Sequence, residues 1–148
     1  MHSIVADTTP LNYLVLIQAV DILPTLYGRV IIPPAVTAEL AHVNTAAIVR
    51  AWISQPPKWL EVVSLKQPIE SALANLDAGE REAISLASEL QAILLLMDER
   101  DGVTIARQRG LKVVGTLAVL DIAADHGLVE LQTMFERLRA TTDSAAHG

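Results

Sequence analysis

The chain predicts an α/β domain with a mainly parallel central sheet of four or five strands flanked by helices. Three observations carry this. Short apolar strand candidates alternate with helical stretches along all 148 residues. The apolar fraction is 51%, mostly Leu, Ala, Ile and Val, with only 3% aromatic, which suits helices packed on a buried sheet. The length is that of one domain, enough to bury roughly two-thirds of the unfolded surface. No repeat or linker interrupts the pattern, so a single domain over residues 1–139 is expected, with 140–148 as a flexible C-terminal tail.

In order, Ser3–Ala6 is the first strand candidate. Pro10 suits the first position of a helix capped by Thr9 and running to about Ala19. Val30–Ile32 is a second short strand, stopped by Pro33-Pro34, which also starts a helix from Pro34 to His42. A further helix covers Thr45–Ser54, and Leu60–Val63 is an edge strand. Pro68–Asp77 is a weakly marked helix, while Gly79–Leu90 is strongly amphipathic. Ala92–Met97 is almost wholly apolar and is expected as a central strand. Asp101–Arg109 is a helix ended by Gly110, Lys112–Val114 the last strand, and Leu117–Asp125 a helix stopped near Gly127, with a short helix after it.

Composition removes several chemistries. There is no cysteine, hence no disulfide, thiolate zinc site or Cys nucleophile. His2, His42, His126 and His147 are scattered without the spacing of a zinc site. No stretch approaches the ~18 apolar residues of a membrane span, and no signal-peptide pattern is present, so a soluble cytoplasmic protein is expected. Scarce aromatic residues do not suit reading single-stranded bases by stacking them on exposed rings. The net charge of −6 opposes phosphate binding. Two features soften that objection: Arg100, Arg107, Arg109 and Lys112 fall close together, and carboxylates that bind a metal reverse the local charge logic.

In parallel α/β domains sites form at the carboxyl ends of the strands. Asp7 directly follows the first strand and Asp98 the expected central one. Glu80 shares a helical stripe with Ala83, Ile84 and Ala87, whereas Glu82 shares its face with Ser85 and Glu89 and is expected to point to water. Glu39 shares a face with Ala35, Val36 and Val43. Each acid also has an ordinary reading. Asp7 suits a turn before a helix, Asp98 a helix cap, Asp77 and Glu80 form a capping box, and Glu39 suits an arginine partner. Together, four inward acids lack four matching cations, and all-oxygen ligands select Mg²⁺ or Mn²⁺.

These segments resemble the PIN-domain ribonucleases, in particular the VapC-like branch. The matching runs are Val5 to Leu11, Ile32 to Leu40, Leu76 to Ile84, Leu95 to Gly102 and Gly110 to Leu120, and the resemblance spans about residues 4–130. It implies a PIN-like three-layer α/β/α fold and a catalytic, metal-binding acidic quartet at Asp7, Glu39, Glu80 and Asp98. Asp101 matches a frequent fifth acid that binds through water. Thr8 stands where relatives carry a hydroxyl that holds the first Asp, and reads equally as a turn residue.

The implied reaction is hydrolysis of an RNA phosphodiester. One or two Mg²⁺ or Mn²⁺ ions would be held chiefly by Asp7 and Asp98, with Glu39 or Glu80 orienting the attacking water. The resemblance further implies a toxin of a toxin–antitoxin pair, with an RNA substrate, a cognate antitoxin protein and a homodimeric assembly. Arg100, Arg107 and Arg109 are candidate RNA contacts, with a solvated helix face as the stronger reading. Trp52 and Trp59 read as core or interface. Leu14, Leu16, Ile17, Ile48 and Ile53 read as core, dimer surface or antitoxin groove. Two rivals remain: a catalytically silent PIN-like interaction module, and a metal-dependent nuclease or phosphatase acting on another phosphoester. The haloacid type of phosphatase would need a second Asp after Asp7, where Thr8-Thr9 stands.

Overall fold

The computed structural model describes residues 3–147, with side chains described as far as residue 142. Five strands form one sheet: β1 (Ile4–Ala6), β2 (Val30–Ile32), β3 (Leu60–Val62), β4 (Leu94–Leu96) and β5 (Val113–Val114), in the order β3-β2-β1-β4-β5. Every pairing is parallel, with Val5 opposite both Ile31 and Leu95. β3 lies at an edge as expected. β4 is interior, but the central strand is β1.

Strand alternation sorts the side chains into two cores. Ile4, Ala6, Val30, Ile32, Leu94 and Leu96 face one way. They meet the buried sides of α1 (Thr8–Leu16), α2 (Ile22–Tyr27), α3 (Pro34–Leu40), α4 (Ala47–Ser54), α7 (Thr116–Asp125) and α8 (Leu131–His147). Val5, Leu95, Met97 and Val113 face the other way, onto α5 (Ala78–Leu90) and α6 (Arg100–Gln108). This is the three-layer α/β/α arrangement of the PIN-like fold.

Several local expectations need correction. The cap of α1 is Asp7, not Thr9, so Pro10 sits at the third helical position, and the helix ends at Leu16 rather than Ala19. The helix α2 was not anticipated; it is short and carries Pro24 in its first turn. Pro68–Asp77 holds only a single 3-10 turn at Ser71–Leu73. The expected short last helix is instead α8, seventeen residues long, which runs through most of the segment expected as a tail; Gly148 lies outside the described residues. Among the described residues no helix is long and apolar enough to cross a membrane. Leu14, Ile17 and Ile53 are core, Leu16 packs partly buried against it, and Ile48 is exposed. Trp52 and Trp59 pack against the same core with ring centroids 6.0 Å apart.

Strand order places the site. β1 is followed by β2 on one side, while β4 lies on its other side and is followed by β5. The chain direction across the sheet therefore reverses between β1 and β4, and a crevice opens there at the carboxyl ends of the strands. Asp7 and Asp98 leave at that crevice, and the Asp7 N–H still extends the sheet by donating to the Leu96 carbonyl at 2.8 Å.

Leu96 is fully buried under this point. Leu96→Ala is expected to cost about 2–5 kcal/mol, read as a lower urea midpoint with an unchanged slope.

Candidate active site

Asp7 is 3% exposed, and its Oδ1 is buried without a hydrogen-bond partner. Burial pushes its pKa up to about 7; the backbone N–H of Thr8 lowers it, and the charges of Asp77, Glu39 and Asp98 raise it further. Glu80, 8% exposed in the first turn of α5, is pushed up to about 8, chiefly by burial, then by its hydrogen bond with Asp77 and the charges of Asp77 and Asp7. No arginine or lysine contributes to either shift. An acid cluster of this kind is neutralised by protons or by a cation.

Glu39 reaches the cluster from α3. It accepts hydrogen bonds from the Thr8 hydroxyl and, at 2.9 Å, from the Gly79 backbone N–H. A Cβ at Gly79 would overlap the Glu39 carboxylate, so this approach requires glycine. Thr8 therefore holds Glu39 with its hydroxyl and Asp7 only with its backbone N–H, a correction to the expectation that its hydroxyl holds the first Asp. The sequence also misplaced Glu82. It is half-buried and accepts the Ala35 backbone N–H at 3.0 Å instead of pointing to water. The helices α3 and α5 thus clasp reciprocally: each supplies a carboxylate to a free N–H in the first turn of the other.

Asp98 is clamped from the start of α7. Its Oδ1 accepts the Thr116 N–H at 2.7 Å and its Oδ2 the Thr116 hydroxyl at 2.6 Å. Thr116 is buried, and a Cβ on the preceding Gly115 would stand 2.5 Å from Asp98 Oδ1. Asp77 caps α5 through the Glu80 N–H at 2.8 Å and adds charge to both Asp7 and Glu80. The sequence marked Asp77 as a cap only, and Thr116 only as part of the matching run Gly110 to Leu120, without a role. Asp77 had a spacing signal in the capping box; the contact of Thr116 with Asp98, eighteen positions earlier, had none.

The remaining candidates stand apart. The Asp101 carboxylate is exposed at the start of α6 and joins none of the other acids by a hydrogen bond. Arg109 pairs with Glu70 at 2.7 Å, and Arg107 donates to the Val113 carbonyl at 3.3 Å. Arg100 is exposed and without a side-chain partner among the described residues.

A cleft of about 470 Å³ opens at these acids. Glu80, Asp98, Glu99 and Thr116 line its polar side; Tyr13, Leu117 and Leu138 line the apolar one. The donor chemistry fits a hard divalent cation: all-oxygen, mutually repelling, with one buried oxygen left unbonded. Among the described residues, however, no three His, Asp or Glu side chains form a ready-made metal cage. Glu39 and Asp98 spend their oxygens on Thr8, Gly79 and Thr116 instead.

The model of the PIN domain family matches residues 3–143. No curated protein matches the chain at a significant level. A PilT N-terminus domain protein from the hyperthermophilic archaeon Sulfolobus solfataricus P2 has the same fold. It is 16% identical, superposes with a TM-score of 0.56, and the match covers 83% of this chain and 93% of that one.

The raised carboxyl groups set a pH dependence. Asp7 and Glu80 stay protonated in the fold up to about pH 7 and 8, whereas in the unfolded chain both have ionised by about pH 5. Between those limits the folded state holds more protons, so stability falls as pH rises, and levels off above. In EDTA, the urea midpoint should drop from pH 5 to pH 8, and Asp7→Asn should remove part of that drop; parallel curves for the two proteins would contradict the assignment.

Proposed function

The chain belongs to the PIN-domain family, and we propose that it is a metal-dependent endoribonuclease that hydrolyses RNA phosphodiester bonds. The PIN domain is a nuclease fold. The observation that carries the reading is the acid cluster at the strand-order reversal, where Asp7 keeps a buried oxygen unbonded and no basic side chain among the described residues compensates the charge.

Asp7 and Asp98, with Glu80 and Glu39 directly or through water, are the residues that would hold Mg²⁺ or Mn²⁺. Such a cation supplies Lewis acidity toward a phosphodiester and lowers the pKa of water. The chain's own groups do the rest. Thr116 fixes both oxygens of Asp98, so that carboxylate enters at one orientation. Thr8 and Gly79 hold Glu39 where its charge reaches Asp7. Glu80, buried in the first turn of α5, brings its carboxyl group to the cleft beside Asp98. Tyr13, Leu117 and Leu138 add apolar surface to the cleft. In the same reading the protein is a cytoplasmic toxin, a homodimer held in check by a cognate antitoxin, and Arg100 is the α6 cation best left available for the RNA backbone.

A second reading, a catalytically silent PIN-like module, is favoured by one observation: Glu39 and Asp98 are already satisfied by donors of the chain itself. Two measurements separate the readings. Total RNA incubated with the wild type should be cut only when Mg²⁺ or Mn²⁺ is present. Asp7→Asn and Asp98→Asn should reduce cutting to the buffer background, and Thr116→Val should slow it about ten- to hundredfold, the scale for partners that orient a metal ligand. Calorimetry that detects no binding at millimolar metal would favour the silent module.

A further inference from the structure

Leu117 and Leu138 line the acid cleft and also a second, shallower hollow of about 250 Å³ that continues from it toward Phe135 and Arg139. Leu117 is 60% exposed and Phe135, the only phenylalanine, is 36% exposed. Phe135, Leu138 and Arg139 stand at i, i+3 and i+4 on α8 and so share one face. Met134, beside them, is buried in the core and anchors the helix. Leu117 follows Thr116, the residue that grips Asp98. The apolar surface is thus tied to the acids by one peptide bond and one hydrogen bond.

Arg139 is the only cation lining either hollow, and it makes no ion pair among the described residues. The exposed apolar surface amounts to three side chains. That is far below the ~800 Å² per partner of a stable protein interface, but it is the scale on which one planar ring stacks. The chain has five aromatic residues in all, too few for a track that stacks many bases, yet sufficient for one position.

We propose that Leu117, Phe135 and Leu138 form a subsite for a single nucleobase next to the scissile phosphate, with Arg139 taking the phosphate on the far side of that base. The inference rests on the ribonuclease reading. It assigns the α7–α8 lip the holding of one unpaired base beside the cut, whichever base that is, while the acids act on the phosphate.

The test uses the full chain and a uridine octamer with one internal 2-aminopurine, whose fluorescence falls on stacking. Binding is measured in Ca²⁺, and cleavage of the same octamer in Mg²⁺ or Mn²⁺. The wild type should bind with quenching. Phe135→Ala and Leu117→Ala should weaken binding about tenfold and remove the quenching, and Phe135→Trp should restore both. Arg139→Gln should weaken binding and reduce its salt slope by about one. Circular dichroism and the urea midpoint of each variant confirm that it folds. Failure of the wild type to bind, or unchanged affinity and quenching in the Phe135 and Leu117 variants, overturns the subsite. If Phe135→Ala instead abolishes self-association in sedimentation while octamer binding is unchanged, the lip is a protein contact and the subsite is again overturned. Binding with the expected losses but without cleavage upholds the subsite and defeats the ribonuclease reading.

Discussion

Asp7 places a carboxyl group where water cannot reach one of its oxygens and where no basic side chain stands opposite. It is the last residue before α1, so the positive end of a nine-residue helix and the Thr8 N–H offset part of its charge. The rest of the surroundings work against ionisation. Asp77, Glu39 and Asp98 add like charge, and burial removes the solvent that would screen it. A buried carboxyl in this position has two stable conditions, protonated or bound to a cation, and the rest of the site serves the choice between them.

The supporting contacts explain how a repelling cluster stays assembled. The clasp between α3 and α5 satisfies first-turn N–H groups with Glu39 and Glu82, so helix-end capping draws a carboxylate inward that repulsion would otherwise turn out. Thr116 does the same for Asp98 with two short bonds. Gly79 and Gly115 are the counterpart, since a Cβ at either would occupy the space the carboxylate needs. These bonds also tie up the oxygens a cation would use. The described arrangement is therefore one in which the chain's own donors hold part of the acid set, and binding metal involves exchanging some of those bonds.

Charge also divides the surface by role. Five acids, Asp7, Glu39, Asp77, Glu80 and Asp98, share the site at the carboxyl edge of the sheet. Of the basic residues expected near RNA, Arg109 is engaged by Glu70 and Arg107 by a backbone carbonyl. Among the described residues, Arg100 on α6 and Arg139 on the lip have no ion-pair partner.

Hydrophobic period and strand-end position are local properties, and they were legible in the residues: the alternating architecture, the parallel sheet, the edge position of β3, and the placement of Asp7 and Asp98. The stripe of Ala83, Ile84 and Ala87 separated Glu80 from Glu82 correctly as to depth, since only Glu80 is buried. It could not show that Glu82 finds a backbone N–H on α3, because periodicity reports which face is apolar and not what packs opposite. The helix α2 went unseen because six residues with a proline carry too little pattern, and α8 was underestimated because its last residues are polar and resemble a tail. Thr116 and Asp77 entered the site through contacts across the fold, and the lip of Leu117 and Phe135 exists only because α8 returns to the first turn of α7. The sequence by itself determined which residues leave the sheet at its carboxyl edge. Tertiary structure alone decided which of them share a charge field, since that depends on the reversal of strand order bringing β1 and β4 side by side.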